Sequence, residues 1–183
     1  MDRLLIPHRA PKYQPTNIHE ELERVRSLLL AESPKAVLIK RDYDLSLPEL
    51  IGDREKLIQA VLNIARNAVQ AMQSRNTPGS QLTFRTRAER QVTLARKRYR
   101  VAIKLEIMDN GPGIPADIRE RIFYPLVSGN EGGTGLGLTL AQTFITQHHG
   151  MIECESAPGH TCFTILLPIE TSVIKPMVSA NNT

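Results

Sequence analysis

The sequence predicts an α/β (α+β) two-layer sandwich, and three observations predict it. Long stretches keep apolar residues at helical spacing. Short β-like runs lie between and after them, paired through turn-forming residues. An ordered pair of glycine motifs follows an Asn-rich helix. The motifs are Asp109-Asn110-Gly111-Pro112-Gly113-Ile114 and Gly132-Gly133-Thr134-Gly135-Leu136-Gly137-Leu138, and the helix carries Asn63-Ile64-Ala65-Arg66-Asn67-Ala68.

The elements follow in order. Residues 1–16 are punctuated by Pro7, Pro11 and Pro15 and read as a linker. Ile18 to Ala31 is an amphipathic helix with Leu22, Val25, Leu28 and Leu29 on its apolar stripe, stopped by Pro34. Ala36 to Leu45 reads as a strand. Asp53 offers an N-cap for a helix from Arg54 to Gln73, on which Asn63, Asn67 and Gln70 share one face. The turn Thr77-Pro78-Gly79-Ser80 leads into a hairpin with arms Gln81–Arg87 and Arg98–Met108, which delivers Asp109 at a strand end. Ala116 to Ile122 is a short helix, and Phe123 to Gly133 lacks periodicity and reads as a mobile flap. Leu136 to His148 is helical, with Gly150 as its C-cap. Met151–Ser156 and Thr161–Leu167 close the fold as a hairpin around Ala157-Pro158-Gly159, and the polar tail frays after Pro168.

A chain of 183 residues suffices for one domain with a real core, and its apolar and charged fractions are ordinary for a globular protein. No apolar run approaches the roughly 20 residues of a membrane helix, and the N-terminus lacks a signal-peptide pattern, so the chain reads as cytoplasmic. The net charge of +4 is modest. Basic residues gather between Arg85 and Arg100 with only Tyr99 interleaved, which favours a solvated hairpin tip over a nucleic-acid surface. Cys154 and Cys162 make neither a disulfide scaffold nor a zinc site and read as small core or face residues. His148 and His149 sit where a cation meets the negative end of a helix dipole.

The motifs carry a nucleotide chemistry. Asp109 at a strand end can accept a charge-assisted hydrogen bond from the exocyclic amine of adenine. Gly111 and Gly113 let the backbone approach a flat ring; Asn-Gly-Pro-Gly also suits a plain tight turn. Gly132, Gly133, Gly135 and Gly137 expose N–H groups, Thr134 adds a hydroxyl, and the helix from Leu136 aims its positive end at anions. An ordinary glycine-rich helix start has the same composition. No Walker loop is present, so the phosphates need a metal. Carboxamide oxygens are hard ligands suited to Mg²⁺, with Asn67 the first choice and Asn63 beside it, unless both amides simply face solvent.

In this order the residues resemble the catalytic and ATP-binding domain of bacterial sensor histidine kinases, in the gyrase–Hsp90–histidine kinase–MutL superfamily. Asn63-x-x-x-Asn67-Ala68 looks like the N box, Asp109 to Gly113 the G1 box, Phe123 the F box and Gly133 to Leu138 the G2 box. Gly159, Thr161 and Phe163 look like the final Gly/Thr strand. The likeness covers roughly residues 17–169. Asp2-Arg3-Leu4-Leu5, Arg41-Asp42-Tyr43-Asp44 and Phe123-Tyr124-Pro125-Leu126-Val127-Ser128-Gly129 resemble the nitrogen-regulation group of these kinases.

The resemblance implies a Bergerat-type fold: a mixed, mostly antiparallel sheet with helices on one face and a lid over ATP. It implies that Asp109 holds the adenine amino group with Thr161 supporting through water. Gly111, Gly113, Ile114 and the stretch Gly132 to Leu138 would enclose the nucleotide, Asn67 would bind Mg²⁺, and Asn63 would lie by the phosphates. Residues 1–16 would end an upstream dimerisation domain, 17–169 would be the catalytic domain and 170–183 a flexible tail. The implied partners are a histidine-bearing dimerisation domain, an NtrC-like response regulator and a PII-type signal protein at the lid, with no nucleic acid and no membrane. The domain alone would be monomeric and the longer protein a homodimer.

Two departures stand out. No His-Glu-x-x-x-Pro acceptor box exists among His8, His19, His148, His149 and His160, so the phosphorylated histidine would lie on another domain. Asn130 stands in the lid where a basic residue is expected. Two rival readings remain open: an ATPase of the same superfamily, which would need a Glu where Asn63 stands to activate water, and a nucleotide-gated docking module.

Overall fold

The structure, a computed structural model, describes residues 10–33, 37–124 and 136–174. Eleven elements carry the fold: β1 (Gln14–Thr16), α1 (Ile18–Glu32), β2 (Leu38–Asp42), β3 (Leu50–Gly52), α2 (Arg54–Ser74), β4 (Gln81–Leu94), β5 (Lys97–Asp109), α3 (Ala116–Arg119), α4 (Leu136–Gln147), β6 (Met151–Ala157) and β7 (His160–Pro168). The main sheet has the order β2-β4-β5-β7-β6, with only β2–β4 parallel. β1 and β3 form a separate antiparallel pair.

Local chemistry starts each helix. The Asn17 side chain accepts from His19 N–H at 2.9 Å and caps α1. Asp53 Oδ1 accepts from Lys56 N–H at 3.2 Å and caps α2, as its position before the apolar run predicts. α2 buries Leu57, Val61, Ile64 and Met72 among Ala60, Ala65 and Ala68, whose small side chains let neighbouring elements come close.

The core lies between the helices and one face of the sheet. Alternate strand residues point into it: Leu82 and Phe84, then Ile103, Leu105 and Ile107, then Phe163, Ile165 and Leu167. Phe84 stands opposite Ile107, and Ile107 opposite Phe163, so one apolar row crosses three strands. Each such side chain contributes roughly 1.5–3 kcal/mol on burial. Both cysteines are free, Cys154 half-buried and Cys162 buried.

The β4–β5 hairpin is longer than its sequence suggests. The strands stay in register to Leu94 and Lys97, and a turn at Ala95 and Arg96 with φ of 48° and 65° joins them. Two consecutive residues of positive φ match the right-handed strand twist of a two-residue hairpin turn. Arg96, Lys97, Arg98 and Arg100 are exposed, as a solvated tip requires. A second small core of Leu94, Tyr99 and Ala102 lies along the hairpin, packed by Val92, Leu166 and Val173. The chain after β7 closes that core: Val173 bridges Tyr99, and Ile174 N–H donates to Arg98 O at 2.8 Å.

The end of α4 departs from the sequence reading. His148 is no cation at a helix terminus. It is 5% exposed, its Nδ1 lies 2.6 Å from Phe144 O, and its Nε2 accepts from Asp53 N–H at 2.9 Å. Burial holds its pKa below 6.5, and accepting from an N–H requires neutral imidazole. Gly150 is not the left-handed residue either: His149 takes φ of 59°. Gly150 is needed because a Cβ there would collide with Leu166 O.

Candidate functional site

Asp109 is the last residue of β5 and 9% exposed. Its Oδ1 accepts from Gly111 N–H at 2.9 Å, and no other hydrogen bond reaches the carboxylate among the described residues. Burial pushes its pKa above the usual carboxylate range, while the Gly111 N–H and the nearby His160 pull it down. The result is a shielded acid with one oxygen fixed and one available to a donor.

The loop after Asp109 is tied down on every side. Asn110 Oδ1 accepts from Gln81 N–H at 2.8 Å, and its Nδ2 donates to Gly79 O at 2.8 Å, so this residue locks the loop to the start of β4. Gly159 N–H donates to Gly111 O at 2.9 Å, and Ile114 N–H donates to Ser156 Oγ at 2.7 Å. The glycines serve the protein's own packing first. A Cβ on Gly111 would lie 2.9 Å from both Asp109 Oδ1 and Met72 Cγ, and one on Gly113, at φ of 83°, would lie 2.7 Å from Ala157 O. Ile114 packs against the core, and its carbonyl accepts from Arg119 Nη2 at 3.1 Å.

Thr161 stands directly opposite Asp109 on β7 and is 3% exposed. Ser156 stands opposite Thr161 on β6, with their hydroxyl oxygens 2.7 Å apart. Asp109, Thr161 and Ser156 therefore form one cross-strand row at the sheet end.

Asn63 and Asn67 are both half-buried on α2. Neither carboxamide is hydrogen-bonded to a described neighbour, so both keep free oxygens. α2 joins the loop through Met72, which packs against Gly111. No group of three or more His, Cys, Asp or Glu that could cage a metal occurs among the described residues. An amide pair fits Mg²⁺ that takes most of its ligands from phosphate and water.

Leu136 and Gly137 begin α4, and Leu138 packs half-buried on the core. Phe123 meets Phe163 edge-on at 6.3 Å, and its carbonyl accepts from Thr139 Oγ1 at 3.0 Å, so the start of α4 is anchored to the F-box position. Gly132, Gly133, Thr134, Gly135 and Asn130 lie outside the described residues. Sequence reasoning passed over Ser156 and the brace made by Asn110. The signal for Ser156 was its place before Ala157-Pro158-Gly159, which puts it opposite Thr161 once that turn is recognised.

The family model described as "Histidine kinase-, DNA gyrase B-, and HSP90-like ATPase" matches residues 52–171. The chain is 48% identical to "Sensory histidine kinase/phosphatase NtrB" of Vibrio alginolyticus over 169 residues, covering 92% of this chain and 48% of that protein. It thus spans about half the length of the curated relatives it matches. Among solved structures, full-length ShkA in complex with AMPPNP superposes with a TM-score of 0.71 at 23% identity, covering 92% of this chain and 33% of that one. Histidine kinase ThkA in complex with the response regulator protein TrrA superposes with a TM-score of 0.67 at 20% identity, covering 89% and 43%. At these identities the structural likeness speaks for the fold. No helix among the described residues is long and apolar enough to cross a membrane.

Proposed function

The chain belongs to the histidine kinase-, DNA gyrase B- and HSP90-like ATPase family, and on that premise we propose that it is the Mg-ATP-binding catalytic unit of a sensor histidine kinase/phosphatase acting in nitrogen regulation. Asp109 accepts from the adenine amine, with Thr161 beside it holding a bridging water. Asn67 and Asn63 stand toward the phosphates, and the stretch from Gly132 to Leu138 offers its N–H groups to them. Mg²⁺ held at Asn67, when bound, neutralises phosphate charge. The γ-phosphate is delivered to a histidine on a separate dimerisation domain, since no acceptor box exists in this sequence. Such transfer needs alignment and charge neutralisation more than covalent help from the protein. A cytoplasmic NtrC-like response regulator receives the phosphoryl group, and a PII-type protein meeting the lid shifts the balance between kinase and phosphatase.

One observation carries the reading: a shielded carboxylate at a strand end, with one oxygen fixed by Gly111 N–H and the other without a partner among the described residues, lies on the strand face of the core residues Leu105 and Ile107. Asn63 argues against the ATPase alternative, because an amide cannot take a proton from water as a general base. The test is calorimetry with ATP and Mg²⁺ on the wild type and Asp109→Asn. We expect the variant to lose at least about tenfold in affinity, the worth of one charge-assisted hydrogen bond. Equal affinities would overturn the assignment. Adding a dimerisation domain in trans should yield phosphohistidine that depends on Asp109, whereas rapid ATP hydrolysis by this chain alone would favour the ATPase.

A further inference from the structure

The cross-strand row Asp109–Thr161–Ser156 ends at a serine on β6. Ser156 Oγ lies at a junction. It accepts from Ile114 N–H at 2.7 Å, and it is hydrogen-bonded to Thr161 Oγ1 at 2.7 Å, with either hydroxyl able to donate. One hydroxyl therefore touches two things at once: the far end of the loop that begins at Gly111, and the Thr161 hydroxyl next to Asp109. Among the described residues, the other stitch between this loop and the β6–β7 hairpin is Gly159 N–H to Gly111 O.

We propose that Ser156 is a positioning residue that sets selectivity for a 6-amino over a 6-oxo purine, acting through Thr161 and the Gly111–Ile114 loop. The inference rests on reading the site as an adenine-nucleotide pocket. Adenine presents a donor at position 6 and an acceptor at N1; hypoxanthine presents the reverse. The Asp109 carboxylate is complementary to the amine and opposed to a carbonyl at the same place. That opposition is effective only where the polar groups are held still, because a slack site relaxes around the wrong base. A hydroxyl carries one proton and two lone pairs, so an unconstrained Thr161 can present either to the water that bridges it to the base. The Ser156 contact narrows that freedom by engaging either the Thr161 proton or one of its lone pairs. Removing the Ser156 hydroxyl frees the Thr161 rotor and leaves Ile114 N–H without its partner.

The experiment uses this chain, with dissociation constants measured by calorimetry for ATP and inosine triphosphate in the presence of Mg²⁺. For Ser156→Ala we expect ATP affinity to fall about tenfold while inosine triphosphate changes less than about twofold, so that the ratio collapses. Ser156→Thr keeps the hydroxyl on a strand-forming side chain and should restore the ratio. A purely structural role would weaken both nucleotides together, and an unchanged ratio in Ser156→Ala would overturn the proposal. If the alanine variant does not fold, Ser156→Cys, close in size but with a weak donor and acceptor, gives the same two outcomes. Asp109→Asn separates the levels. If it loses ATP affinity while Ser156→Ala keeps the wild-type ratio, the positioning role falls and the pocket stands. If Asp109→Asn binds ATP as the wild type does, the pocket itself falls.

Discussion

The imidazole of His148 accepts the backbone N–H of Asp53 at 2.9 Å, so the residue that caps α2 is also held by the last turn of α4. Tyr13 adds to the joint, its ring edge-on to His148 at 5.6 Å and its hydroxyl donating to Gln147 O at 3.1 Å. Lys12 N–H donates to Asp53 Oδ2 at 3.0 Å. One histidine thus binds β3, α2, α4 and the segment before β1 into a single joint.

That joint is sensitive to acid. Burial depresses the His148 pKa below 6.5; the hydrogen bond to the Phe144 carbonyl and then Asp53 work against that shift, while Lys56 and His149 reinforce it. A group whose folded pKa is depressed binds fewer protons in the folded state, so stability rises with pH and is lost as pH falls below about 6.5. Protonated Nε2 would oppose Asp53 N–H donor to donor, at a cost of about 1–3 kcal/mol. Thermal unfolding between pH 7.5 and 5.5 should show a midpoint falling by several degrees, and His148→Gln should flatten that dependence.

Glu21 behaves in the opposite sense. It is 1% exposed on α1, both carboxyl oxygens lack a partner among the described residues, and burial pushes its pKa to about 9. A raised folded pKa means that stability is lost as pH climbs from about 4.5 through about 9. Glu21→Met, similar in length and apolar, should be more stable than the wild type by about 1–3 kcal/mol at neutral pH. The gap should widen toward pH 9 in urea unfolding.

Gly113 and Gly159 have nearly the same φ, 83° and 86°, but different surroundings. Nothing lies within 4 Å of a Cβ on Gly159, whereas Gly113 would meet the Ala157 carbonyl. Gly159→Ala should cost about 1–2 kcal/mol, the conformational penalty alone. Gly113→Ala should cost more, and should weaken nucleotide binding because the loop must shift. Denaturant midpoints for the pair separate the two contributions.

Asn67→Ala tests the metal assignment. Binding of ATP with Mg²⁺ should weaken by about tenfold or more, since a ligand oxygen is lost. Binding of adenosine in EDTA should stay as in the wild type. Equal losses in both would place Asn67 in the packing of α2 instead.

The sequence announced the large elements because their signals are long. Asp53 precedes an apolar series from Leu57 to Met72 that only a helix satisfies, and that helix forms as Arg54–Ser74. β1 and β3 escaped notice because strands of three residues have no measurable period, and Pro15 inside β1 reads as linker. The hairpin arms extend beyond their apolar runs: a stretch such as Arg96-Lys97-Arg98 looks like a loop, although only Arg96 lies in the turn and Lys97 and Arg98 pair with Leu94 and Thr93. Asp109 was visible as a carboxylate at a strand end. Ser156 is legible only through the turn at Ala157-Pro158-Gly159, which sets the β6–β7 register that places it opposite Thr161.

The small core of Leu94, Tyr99 and Ala102 is a hydrophobic cluster separate from the main one. On the tip side of Ala102, strand β5 loses its β7 neighbour, and the segment through Ile174 takes over. Amide protons near the hairpin tip should therefore follow how firmly residues 169–174 stay in place. They should exchange with solvent by a local opening that costs far less than the one that exposes Ile103, Leu105 and Ile107 in the main core. Shortening the chain after Pro168 would leave the main sheet paired and turn the hairpin into a loosely held arm.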